Sequence, residues 1–109
     1  MVNMYKILLV DFPYTGSSKS KQRPVLQLTT PVGKFNLILV AYITSQDKDL
    51  VESDVSIDNL TNTGLTRKST IRLVKLINMS ATKIKSEIGK LSETKILEVK
   101  TKLKKLFGL

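Results

Sequence analysis

A chain of 109 residues, 41% hydrophobic and 25% charged, has the size and composition of one globular domain, residues 1–109, and argues against a disordered or fibrous protein. With no histidine and no cysteine it has no disulfide framework, no thiol or imidazole catalysis and no cysteine-based zinc site, in keeping with a reducing compartment. The net charge of +9 is uneven, since residues 1–70 carry eight basic and six acidic side chains while residues 71–109 carry ten and three. Such a surface concentrates polyanions without selecting among them, so nucleic acid or an acidic protein is the expected partner.

Tyr5 to Phe12 reads as a first strand, rich in branched and aromatic residues and stopped by Pro13, which has no N–H for a ladder. Gly16 to Lys21 follows as a flexible basic loop. Arg23 to Thr29 resumes the extended pattern, with Pro24 at the strand's opening. After a turn at Pro31-Val32-Gly33-Lys34, the run Phe35 to Ile43 is nearly continuous in apolar residues, as expected of a central strand covered on both faces. That run is also far short of the roughly 18 apolar residues of a membrane span. The N-terminus lacks the basic start and cleavage site of a signal peptide, so the chain is expected in the cytoplasm, away from membranes.

A polar stretch, Gln46 to Glu52, leads to a short strand at Val55-Ser56-Ile57 and a turn-rich segment, Asn59 to Gly64. Ser69 to Leu76 then alternates, with Ile71, Leu73 and Leu76 facing a core and Arg72 and Lys75 facing out. Five closely spaced strands predict a mainly β fold, a small barrel or strongly bent sheet. Beyond them the period changes. Ser80 is placed to cap a short helical turn carrying Ile84. Ser92 caps a longer helix in which Ile96, Val99, Leu103, Leu106 and Phe107 recur at helical spacing opposite Lys95, Lys100, Lys102, Lys104 and Lys105.

Chemistry gathers at two strand ends, Lys21-Gln22-Arg23-Pro24 and Ile43-Thr44-Ser45-Gln46. Arg23 offers a planar fork of donors suited to two phosphate oxygens, or else is a surface arginine paired with a carboxylate such as Asp11. Thr44 and Ser45 end the most buried strand, where a hydroxyl is either held rigidly at a reacting oxygen or spent on capping exposed backbone. Asp47 and Asp49 lack the further ligands that a magnesium or calcium site needs, so no metal or other cofactor is expected. The lysine-rich helix face reads as an ordinary solvated face or as a binding surface.

The order Ile7 to Thr15, Lys21 to Leu26, Ile43 to Gln46, Gly64-Leu65 with Ser69, and Ile88-Gly89-Lys90-Leu91-Ser92 resembles the MazF/PemK (Kid) family of toxin ribonucleases along nearly the whole chain. Members of that family commonly carry Gly-Asp or Gly-Glu where this chain has Tyr5-Lys6. The resemblance implies an SH3-like barrel with a C-terminal helix, a homodimer, and metal-independent, sequence-specific cleavage of single-stranded RNA. It also implies a cognate acidic antitoxin whose tail occupies the RNA groove. It sets the catalytic arginine at Arg23 and the catalytic hydroxyl at Thr44, with Ser45 the neighbour to test; Ser45 and Gln46, at the same strand end, are the candidate supports.

Cleavage of this kind uses the RNA's own 2′-hydroxyl and leaves a 2′,3′-cyclic phosphate and a 5′-hydroxyl. With imidazole absent, Arg23 is expected to stabilise charge on the phosphorane-like transition state. Lys19 and Lys21 would follow the RNA backbone, and Tyr14 would stack on a base. The rival readings are a CcdB-like toxin directed at gyrase and a nucleic-acid-binding module without chemistry.

Overall fold

The computed structural model describes residues 4–13, 20–46 and 49–109. Six strands form one antiparallel sheet: β1 (Lys6–Pro13), β2 (Ser20–Gln27), β3 (Leu37–Thr44), β4 (Val55–Ile57), β5 (Ser69–Ser80) and β6 (Ile84–Lys90). A helix, α1 (Glu93–Phe107), follows. The order across the sheet is β4-β5-β3-β2-β1-β6, so the most apolar run of the sequence is an interior strand, as its composition predicts. The sheet bends into a half-barrel, with register shifts between Ala41 and Tyr42 on β3 and at two points along β1 against β6.

Two apolar clusters lie on the two faces of the bent sheet. Consecutive residues on β3 divide between them, Ala41 and Ile43 joining one and Ile38 and Val40 the other. The first cluster also holds Ile7, Leu26, Ile71 and Leu73 and is covered by α1 through fully buried Val99, with Ile96 and Leu103 packed beside it. The second holds Leu8, Val10 and Val25, with Ile77, Met79 and Ile84 at its margin.

Three local expectations need correction. β2 begins at Ser20, three residues before Arg23, because Ser20, Lys21 and Gln22 pair with Pro13, Phe12 and Asp11; the end of the expected loop is strand. Pro24 therefore sits inside β2, opposite Leu9, at a point where the pairs with β3, which begin at Val25, have not yet started. A proline without an N–H is tolerated on such a half-paired stretch.

β5 runs to Ser80, four residues beyond the expected end, and Ser80 caps a single 3₁₀ turn, Ala81–Lys83, by accepting the Thr82 N–H at 3.2 Å. Ile84 does not belong to that turn. It opens a sixth strand, β6, whose weak alternation and Gly89 hid it from a reading of local pattern.

Arg72 does not face solvent. Its Nε stands 3.0 Å from Asp54 Oδ1, and the two side chains are only 13% and 6% exposed. Asp54 also accepts the Val51 N–H on Oδ2 at 2.8 Å, and its carbonyl accepts from Lys102 Nζ at 2.6 Å. One aspartate thereby ties together the loop after β3, strand β5 and helix α1.

Candidate active site

The segments rich in polar chemistry come together because β2 and β3 are antiparallel neighbours. Their register runs Val25↔Tyr42, Leu26↔Ala41 and Gln27↔Val40, so Arg23 and Thr44 each lie two residues beyond the last pair, at the same end of the two strands. The two-residue period turns both toward one side of the sheet, the side of Val25 and Tyr42. Both line one open cleft of about 430 Å³, together with Lys21, Pro24, Ile43, Ser45 and Gln46. Lys21, Arg23, Thr44, Ser45 and Gln46, separated by twenty residues of sequence, thus share one cavity.

Thr44 is held where the strand ends. Its Oγ1 accepts the backbone N–H of Gln46 at 3.1 Å, a local turn that leaves the hydroxyl proton available to a further acceptor. Asp11, the carboxylate that a purely structural role would assign to Arg23, makes its ion pair with Lys85 at 3.0 Å. In the β1–β2 register Asp11 stands opposite Gln22, while Arg23 stands opposite Val10.

The rest of the lining comes from the loop before β5, through Leu65, Thr66 and Arg67, and from Ser69 at the start of that strand. Reading the sequence missed this segment as part of the site. The available signal was Arg67-Lys68, a basic pair between a glycine turn and a strand whose Thr70 pairs with Thr44. Buried Ser69 donates its hydroxyl to the Arg67 carbonyl at 3.0 Å, which fixes the end of the loop. The described residues lining the cleft therefore contribute three cations, several hydroxyls and one amide, and no carboxylate. Such a lining suits an anion with several oxygen acceptors.

Tyr14 and Lys19, the expected base-stacking and backbone-tracking residues, lie outside the described residues, as does Asp47. Among the described residues no group of three or more histidine, cysteine, aspartate or glutamate side chains is placed to hold a metal ion. Among them too, no helix is long and apolar enough to cross a membrane.

A helix-covered half-barrel with a basic, hydroxyl-lined cleft at the open end of its central hairpin defines the class as a small β-barrel protein with one terminal helix. The chain belongs to the family of PemK-like, MazF-like toxins of type II toxin–antitoxin systems, whose sequence profile matches residues 3–107. It is similar in structure to the Mycobacterium tuberculosis toxin MazF-mt6, with a TM-score of 0.74 and 21% identity over 95% of this chain and 97% of that one. It is also similar to an endoribonuclease in complex with its cognate antitoxin from a mycobacterial species, with a TM-score of 0.75 and 12% identity over 100% of this chain and 97% of that one. At these identities the likeness is one of fold. A search of curated proteins finds no significant match.

Proposed function

We propose that this toxin is a metal-independent, sequence-specific endoribonuclease that cuts single-stranded RNA, messenger RNA included, by attack of the 2′-hydroxyl on the adjacent phosphate. The observation that carries the reading is the convergence of Arg23 and Thr44 on one carboxylate-free lining among the described residues. In the reaction the 2′-oxygen loses its proton to water and bonds to phosphorus, the P–O5′ bond breaks, and O5′ takes a proton from water. The products are a 2′,3′-cyclic phosphate and a 5′-hydroxyl.

Arg23 holds the non-bridging oxygens, whose charge grows toward the transition state, so its two-pronged contact strengthens as the reaction proceeds. Thr44, with its oxygen occupied by the Gln46 N–H, donates a hydrogen bond to the phosphate or to the departing O5′ and so orients it. Ser45 and Gln46 support the substrate at the same rim, and Lys21 meets a flanking phosphate. The partners that complete this reading are a cognate acidic antitoxin, whose chain competes with RNA for the cationic cleft, and a second copy of the toxin in a cytoplasmic homodimer. The antitoxin-bound relative supports the first of these.

The test is incubation of the purified protein with a long transcript in the presence of a chelator. Discrete cuts ending in cyclic phosphate are expected, and Arg23→Ala is expected to abolish them with an unchanged far-ultraviolet circular dichroism spectrum. Intact RNA from the wild-type protein, or unaltered cutting by the variant, overturns the reading, and retarded but uncut RNA points to a binding module.

A further inference from the structure

A second arginine, Arg67, lines the same cleft as Arg23. Arg67 is exposed, precedes the strand whose Thr70 pairs with Thr44, and takes part in no ion pair among the described residues. The loop that carries it is fastened from both ends. Behind it, Thr63 Oγ1 donates to the Leu60 carbonyl at 2.7 Å and accepts the Leu65 N–H at 3.2 Å, and the Lys90 N–H donates to the Asn62 carbonyl at 2.9 Å. Gly64, at φ +75°, lies so close to the Ile88 backbone that a Cβ there would collide with it, and a Cβ on Gly89 would collide with the Thr63 carbonyl. Ahead of it, the Ser69 hydroxyl holds the Arg67 carbonyl.

Two arginines and Lys21 line one cavity, with no carboxylate among its described lining, and give it a positive potential that attracts anions. A cleft of about 430 Å³ is wide for one phosphate and suits a nucleotide unit with its flanking linkage. We propose that Arg67 is a phosphate-binding residue that grips the linkage next to the one held by Arg23, so that the strand spans the cleft. This rests on the reading of the cleft as the RNA site. Because the neighbouring phosphate carries the same charge before and during reaction, Arg67 contributes equally to ground-state and transition-state binding. Its loss raises KM and leaves kcat unchanged.

Two measurements on wild type, Arg67→Ala and Arg67→Lys test this. The first is binding, at several salt concentrations, to a pool of random-sequence single strands methylated on every 2′-hydroxyl, which cannot be cut by the proposed route. The second is the concentration dependence of cutting of a long transcript. Arg67→Ala is expected to weaken binding about tenfold, to flatten the slope of log K against log salt by about 0.7, and to raise KM with kcat intact; Arg67→Lys is expected to restore the slope.

Unchanged binding and slope in Arg67→Ala overturn the inference, as does a fall in kcat without a fall in affinity. A lowered melting temperature with a slope that lysine does not rescue assigns Arg67 a structural role instead and overturns it equally. Should wild type bind the methylated pool through Arg67 and leave every transcript intact, the nuclease reading fails while this one stands. Cutting by wild type with binding indifferent to Arg67 does the reverse.

Discussion

At the scale of single residues, the Thr44 hydroxyl is the group whose removal discriminates best between chemistry and capping. Thr44→Val preserves shape and removes the donor, and is expected to lower kcat by about 10²-fold to 10³-fold, the cost of one preorganised donor at a developing charge. Thr44→Ser, which keeps the Oγ that accepts from Gln46, is expected to retain most of the rate; initial rates on one transcript at saturating concentration check both. The convergence of Arg23 and Thr44 on one cleft was legible in the sequence because each sits in a short block with an apolar strand beside it, and adjacent strands bring such blocks together. The place of Arg67 on that cleft was not legible, since it depends on a loop held by residues more than twenty positions later. Asp54 was equally hidden: alternation along β5 turns Arg72 outward, and only the folded loop supplies a buried carboxylate to meet it.

At the scale of elements, strands β3 and β4 and helix α1 were plain from apolar runs, period and caps, whereas β6 was not. Its Ile84, Ile88 and Gly89 make a weak pattern because the strand's role is to close the sheet against β1 and to receive the loop after β4. Gly89→Ala drives a methyl into the Thr63 carbonyl, an overpacking expected to cost about 1–3 kcal/mol. A urea titration checks this through a lowered midpoint with unchanged slope, and the displaced loop should also weaken binding of the methylated strands. In α1, burial pushes the Glu98 carboxyl up, but hydrogen bonds and charge from Lys102 and Lys95 outweigh it, so the group titrates below the ordinary carboxylate range. A depressed folded-state pKa gives stability that is present above the unfolded value and lost as pH falls through the folded one. Wild type is therefore expected to exceed Glu98→Gln by about 0.5 kcal/mol at neutral pH. In thermal melts across an acid series the difference should vanish below the carboxylate range.

At the scale of the whole molecule, the charge of +9 was evident in the sequence but its disposition was not. The helix that holds many of the lysines spends them internally: Lys95 and Lys102 pair with Glu98 at 3.2 and 3.1 Å, Lys105 pairs with Glu52, and Lys100 lies 5.7 Å from the centre of the Tyr5 ring. The cationic cleft, by contrast, keeps Lys21 and Arg67 exposed at its rim. The fold was legible as a bent β-sheet with a terminal helix, and its closure was not, because the first strand pairs with the last, Ile7 with Gly89 and Val10 with Ile84, a contact no local window contains. That long-range closure has a bearing on synthesis. The wall bearing Arg67 is anchored by Ile88, Gly89 and Lys90, which leave the ribosome more than twenty residues after it. On a nascent chain the cleft therefore stays incomplete on that side until β6 has left the ribosome and paired with β1.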